Sequence, residues 1–371
     1  MKAKGKTGFL MAIWAGASFA GYNIGSGYAT GVETMQFYVP WGKELAFVGI
    51  IFSMLFAIAM LIPLYMAGRE NSMGESEIYE YFCGKKMGKF FEIYIYVNML
   101  VIIFGMMSGS GATLNQYFGV PEFVGAIFMG AVSVVASLLN LEKLMKVLSY
   151  IGIVAISLIL ISTIYLISTQ GFQITTTTEQ IESYVASGDL LKIKIFGVYN
   201  PILCMMASAG MVVISAAPWV VSTGALCRSK KEAVASGILS GAFYYLTQIV
   251  LLVFLFMTMD YAVYSEVPVL AAIQHYIPAL SLVFSCVIIL SIFSTLTGRL
   301  FVFASTVSKG VKSRRIAISI LIIVVAVTVG SFVSFSALAN LMFTITGTVG
   351  ILLAVFIFTK EIRKRITKYH N

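Results

Sequence analysis

Charge is scarce in this chain: only 11% of its 371 residues are Asp, Glu, Lys or Arg, against 59% hydrophobic ones. That leaves too little polar surface to coat a water-soluble protein of this length. Histidine is scarcer still. With only His275 and His370 present, a histidine-rich metal centre or a Ser-His-Asp hydrolase would rest on His275 alone, so an enzyme is not expected and no cofactor is implied. The four cysteines, Cys83, Cys204, Cys227 and Cys286, show no paired spacing, and three fall in or beside apolar stretches where Cys acts as a small packing residue. Also missing is the alternation of polar and apolar residues over about ten positions that marks a membrane β-barrel. Val101 to Met107 and Ile151 to Ile161 are almost continuously apolar.

What the chain has is apolar length. A membrane-crossing helix needs roughly 20 apolar residues, and hydropathy places ten such spans near 8–39, 45–67, 90–118, 122–140, 148–167, 195–226, 233–259, 278–307, 316–335 and 338–359. Lys2, Lys4 and Lys6 lead into a stretch too long for the apolar core of a signal peptide, which makes it the first span. Alternating the joints puts every Lys and Arg except Lys43, Lys192 and Lys194 on one face, while Glu179, Glu182, Asp189 and Asp260 lie on the other. By the positive-inside rule the reading is a multi-pass inner-membrane protein with both termini cytoplasmic. Its net charge of +9 then describes topology and contact with anionic lipid heads, and nucleic-acid binding is disfavoured because no separate basic domain exists.

Three spans depart from plain membrane helices. The first carries Gly16, Gly21, Gly25, Gly27 and Gly31, a density that fits either close helix packing by small-xxx-small spacing or an unwound break at Gly25-Ser26-Gly27 lining a mid-membrane cavity. In the second reading the dipole end near Tyr28 suits a carboxylate. The sixth span holds Met205-Met206-Ala207-Ser208-Ala209-Gly210-Met211 and then Ser215, Pro218 and Trp219. Pro218 could only kink it. Dividing ten spans into two sets of five, however, makes spans one and six the first of each set, and interruptions at matching positions point to a transport site. The eighth span contains Ser291, Ser294 and Thr295 on one helical face. Such hydroxyls either bond their own helix or offer oxygen ligands to a small hard cation, with carbonyls of the first span completing the shell.

Among ionisable groups Glu33 stands out. An intramembrane carboxylate is costly enough to imply a role: proton exchange, pairing with an amine, or hydrogen bonding to exposed amides. Asn23, Asn98 and Asn115 are either ligand contacts or interhelical glue, and Arg299 is expected to snorkel toward the cytoplasm. Arg69 to Lys89 reads as a cytoplasmic amphipathic hinge or a solvated loop, and Val263 to Tyr276, interrupted by Pro268, as an external lid or a simple connector.

The break in span one, followed by Ala29-Thr30-Gly31-Val32-Glu33, resembles the YkvI-like membrane proteins, which are similar to the amino acid, polyamine and organocation transporter superfamily. That resemblance implies an all-α fold with a LeuT-type five-plus-five inverted repeat and broken helices one and six, residues 1–168 and 195–359 forming the repeats and 360–371 a basic tail. It also implies a sodium site made from the carbonyls of Gly21 and Ile24 with Ser291, Ser294 and Thr295, and a substrate site at Gly25, Ser26, Gly27, Ser208 and Gly210. Met205 falls where sodium-coupled relatives often carry an aromatic gate. Proton-coupled relatives place a lysine in span five, and none occurs between Ser149 and Thr169, which favours sodium as the coupling ion. The expected function is symport of an amino acid or related small amine. Proton coupling through Glu33, a membrane ligand sensor that moves nothing, and a channel are the alternatives.

Overall fold

The computed structural model describes residues 8–71, 77–174, 176–265, 267–309, 311–330 and 335–370. Among these the structure is helical, and the one strand-like pairing is an isolated bridge between Ile195 and Val198. The helices are α1 (Gly8–Asn23), α2 (Ser26–Ala29), α3 (Val32–Phe37), α4 (Lys43–Asn71), α5 (Glu77–Phe118), α6 (Glu122–Ser137), α7 (Leu141–Gln170), α8 (Thr178–Ser187), α9 (Pro201–Gly224), α10 (Lys230–Met257), α11 (Met259–Ala262), α12 (Pro268–Tyr276), α13 (Ser281–Val307), α14 (Lys312–Gly330) and α15 (Phe335–His370). Seven of these segments, in α4, α5, α7, α9, α10, α13 and α15, are long and apolar enough to cross a membrane. The other three predicted spans fall on the interrupted α1–α3 segment, on the 16 residues of α6 and on the 19 of α14, whose first turn holds Lys312, Arg314 and Arg315.

Contacts sort the long helices into two sets. Helices α1, α4, α9 and α10 pack on one another, as do α5, α6, α13 and α14. At the seam between the sets, α7 lies against α1, α10 and α13, and α15 against α9 and α5.

Span six corrects the sequence reading. Asn200 accepts the amide of Leu203 at 3.0 Å and Pro201 sits at the first helical position, so α9 starts later than hydropathy placed it. From there it runs unbroken to Gly224, without the expected interruption around Met205 to Met211. The small residues serve a helix crossing instead: a Cβ on Gly210 would lie 2.7 Å from the carbonyl carbon of Gly350 on α15, so only glycine lets the two backbones meet. Pro218 stays inside the helix. Lacking an N–H, it leaves the Ile214 carbonyl without its usual donor, and the Tyr79 hydroxyl supplies one at 3.3 Å. Tyr79 arrives on the first turns of α5, set at an angle to the rest of that helix by a non-helical Gly84 (φ 73°, ψ 170°). Ile78, Tyr79 and Phe82 are buried there while Glu77, Glu80, Lys85 and Lys86 are exposed, the amphipathic pattern expected of this stretch.

Span one, by contrast, is interrupted twice, between Asn23 and Ser26 and again at Thr30 and Gly31. Gly31 adopts φ 87°, and a Cβ there would meet Val269 Cγ2 at 2.8 Å, so neither the backbone nor the space admits another residue. Helix α12 lies over this second gap. Its Val269 N–H donates to the Thr30 carbonyl at 2.9 Å, and Val269, Leu270, Ala272 and Ile273 are buried. At the other end of the chain, residues 360–370, the basic stretch, continue α15.

The Tyr79 contact makes a stability prediction. Tyr79→Phe orphans the Ile214 carbonyl and lowers stability by about 1–3 kcal/mol, seen as a lower melting temperature in detergent. In a Pro218→Ala background, where residue 218 regains its N–H, the same substitution costs much less. Equal losses in both backgrounds would contradict the assigned partnership.

Candidate functional site

The site begins where α1 stops. The last four carbonyls of a helix have no partner within it, and in a membrane interior an unpaired one costs several kcal/mol. Here all four are met. Ala20 accepts the N–H of Ile24 at 2.7 Å and Asn23 that of Gly25 at 2.8 Å. The other two are met from α13, across the seam: Ser294 donates its hydroxyl to the Gly21 carbonyl, while Thr295 Oγ1 at 3.2 Å and Arg299 Nη1 at 2.9 Å donate to that of Tyr22.

Arg299 therefore does not snorkel outward. It is 5% exposed, its guanidinium carbon lies 4.8 Å from the Tyr22 ring centroid, and its Nε finds no acceptor among the described residues. The negative end of the α1 dipole gives the cation a partner inside the membrane, which the sequence pattern did not reveal.

Glu33 is equally buried, in the first turn of α3. Its Oε1 accepts Tyr244 Oη–H at 2.7 Å and Gln248 Nε2–H at 3.1 Å. Hydrogen bonds to a charged group contribute about 1.5–3 kcal/mol each, against an insertion penalty of roughly 2.5–3.5 kcal/mol for a mid-membrane carboxylate. Its two donors thus offset the penalty, whereas Arg299 is left with donors to spare. Among the described residues no ion pair joins these two charges to each other.

Both charges line one chamber of about 90 Å³. The interrupted segment contributes Asn23, Gly25, Tyr28 and Glu33; α9 contributes Met211, Val212 and Ser215; Tyr244 comes from α10, and Thr295 and Arg299 from α13. Ile102, Gly105 and Met106 of α5 and Met342, Phe343 and Thr346 of α15 complete the wall. At about 10–15 Å³ of such space per water molecule, the chamber holds a few waters or one compact solute. Aromatic pairs lie around it: Tyr22 stacks on Trp219 at 5.3 Å, Tyr28 tilts against Tyr244 at 5.0 Å and Phe37 against Phe343 at 5.8 Å.

The expected substrate residues divide. Gly25 lines the chamber. Ser208 does not, because its hydroxyl is held 2.7 Å from that of Tyr38. Met205 turns toward Gly49 of α4, its carbonyl taking the Ser53 hydroxyl at 2.9 Å, and Gly210 faces α15. The lining face of the unbroken α9 lies a turn further on, at Met211 and Ser215. The surroundings of the Ser26 side chain and of Gly27 lie outside what is described. Of the expected sodium set, Gly21, Ser294 and Thr295 converge at the α1 terminus; Ile24 is buried just beyond it, and the buried Ser291 hydroxyl has no partner among the described residues. Gly21 also serves close packing, since a Cβ on Gly152 of α7 would lie 2.9 Å from its nitrogen. Asn98 is glue, donating to Thr346 at 2.7 Å, and Asn115 donates locally to the Val120 carbonyl at 3.1 Å. Tyr244 and Gln248 went unread, a Tyr and a Gln four residues apart in an apolar span being the available signal, and Arg299 was read only as a snorkelling residue.

No family model and no curated protein matches the chain. Solved structures do. It superposes on a substrate-bound, outward-open Na+-coupled sialic acid symporter (13% identity, TM-score 0.60, covering 94% of this chain and 78% of that one). MhsT in complex with L-phenylalanine matches with 14% identity and TM-score 0.60, covering 95% and 88% of the two chains. Inward-facing Mhp1 matches with 14% identity and TM-score 0.56, covering 94% and 75%. The chain is thus a multi-pass, all-helical membrane protein with the LeuT-type transporter fold.

Glu33 and its donors are coupled. Tyr244→Phe removes the shorter of the two hydrogen bonds and lowers the melting temperature, by about 1–3 kcal/mol of stability. Adding Glu33→Gln, which removes the carboxylate, recovers most of that loss; strictly additive losses would contradict the pairing.

Proposed function

We propose that the chain is an alternating-access secondary transporter for a small amino acid or related amine. The observation that carries this reading is the chamber at the seam of the two helix sets, lined by two buried opposite charges that form no ion pair with each other among the described residues. Buried charges of this kind are retained where a ligand or ion meets them. A zwitterion matches the chamber's chemistry, its carboxylate toward Arg299 and its ammonium toward Glu33 and the Tyr28 and Tyr244 rings. Movement of the α1, α4, α9 and α10 set against the α5, α6, α13 and α14 set would open the chamber to each side in turn. In this reading ten segments cross the inner membrane with both termini cytoplasmic, and residues 1–168 and 195–359 are the inverted repeats.

Sodium is the proposed coupling ion. The support is the group of oxygens at the α1 terminus, where the Gly21 and Tyr22 carbonyls meet the Ser294 and Thr295 hydroxyls, with a Ser291 hydroxyl that has no partner among the described residues one turn earlier on α13, oxygens suited to a small hard cation. One observation favours a second reading, proton coupling through Glu33: Arg299 already brings a fixed positive charge to the Tyr22 carbonyl, which disfavours a second cation close by.

Uptake into proteoliposomes separates these readings. Accumulation of a radiolabelled amino acid driven by an inward sodium gradient, reduced about tenfold or more by Ser294→Ala or Thr295→Ala, supports sodium coupling. Accumulation driven by a proton gradient, indifferent to sodium and lost in Glu33→Gln, supports the second reading. Ligand-induced thermal stabilisation with no uptake under either gradient would contradict transport and leave a sensor.

A further inference from the structure

A second cavity lies away from the chamber, where the first turns of α5 meet the far end of α15. It encloses about 880 Å³ and is lined by Phe82 and Gly84 on one helix and by Phe356, Lys360, Arg363 and Lys364 on the other. Lys360 donates to the Tyr81 carbonyl, with its ammonium 3.2 Å from the centroid of the Tyr81 ring, and Lys364 lies 5.2 Å from the same centroid. Those contacts fix two cations at the cavity wall. Among the described residues only one carboxylate answers them, that of Glu361, 2.7 Å from Lys364. Arg363 is exposed, and among the described residues it has no acidic partner. Three cations within five positions facing one cavity make an anion trap, since their potentials add there.

The location says which anion. The cavity sits at the end of an apolar segment, Met342–Thr367, so its cations occupy the level at which a membrane span gives way to headgroups. Its lining also has an apolar part, Phe82 and Phe356, beside the charges, with the Lys360 ammonium 5.7 Å from the Phe82 ring centroid. An inorganic anion would meet the cations and leave that apolar flank wet, whereas a phospholipid satisfies both. We propose that this cavity binds the phosphate of an anionic phospholipid headgroup. The site is independent of what the chamber carries. Its occupant touches Gly84, the hinge beyond which Tyr79 reaches the Ile214 carbonyl, so lipid binding braces the segment that packs beneath α9.

The test uses the full chain in phosphatidylcholine nanodiscs titrated with phosphatidylglycerol, followed by thermal unfolding. Wild type is stabilised at a low mole fraction of phosphatidylglycerol, and Arg363→Gln/Lys364→Gln needs about tenfold more for the same shift. The control Lys312→Gln/Arg314→Gln removes equal charge elsewhere and behaves as wild type. An equal shift in the control would reduce the effect to diffuse surface charge and overturn the site. Stabilisation reproduced by inorganic phosphate at millimolar concentration would overturn the lipid as its source. Should the double variant fold poorly, native mass spectrometry of wild type decides: one retained phosphatidylglycerol per chain supports the site, and none overturns it.

Discussion

The structure depends on one constraint, that a helix ending inside a membrane must have its last carbonyls satisfied. Helix α1 ends at Asn23, and of its four terminal carbonyls two find local amides while two are met by side chains of α13. Those side-chain bonds cross the seam between two helix sets. The chamber exists because the chain is interrupted there, and the seam is pinned there because the interruption needs donors. A plain helix through residues 20–30 would remove both the cavity and the reason for Ser294, Thr295 and Arg299 to point inward.

The same accounting explains the other irregularities. Pro218 keeps its place in α9 because Tyr79 meets the carbonyl it orphans, and the gap at Thr30 is closed by an amide from α12. The end of α1, Pro218 and the gap at Thr30 are each paired with a group from a distant part of the chain, so these irregular points also tie separate helices together. Electrostatics follow the same geometry. Arg299 rests against the negative end of α1, and Glu33 lies in the first turn of α3, at its positive start, so the interruption gives each charge a helix end of complementary sign beside one small chamber.

Much of this was legible in the sequence because it is local. Apolar length gave the seven helices long enough to cross a membrane, the glycine density around Gly25 pointed to the interruption, and the cost of an intramembrane carboxylate singled out Glu33. What was not legible depends on partners far along the chain. Gly210 looks like part of a break until Gly350 is found against it, and nothing near residue 210 distinguishes a backbone crossing from an unwound turn. Met205 and Ser208 missed the chamber for the same reason, since an unbroken α9 turns them toward α4 and Tyr38. Arg299 reads as a snorkelling residue from its neighbours alone; its inward course is set by a carbonyl on another helix. Tyr244 and Gln248 acquire meaning only with Glu33 beside them.

The central claim is that the chamber lies on a seam between two bodies that move against each other. Pulsed electron paramagnetic resonance tests it most directly, with spin labels placed in nanodiscs on the exposed positions Leu246 of α10 and Leu321 of α14, and a second pair on Val132 of α6 and Leu321. The account predicts that the pair spanning the seam gives a distance distribution that shifts by several ångström when sodium replaces potassium or pH is stepped, while the pair within one set stays fixed. A seam-spanning distance that holds single and constant under every condition would contradict it.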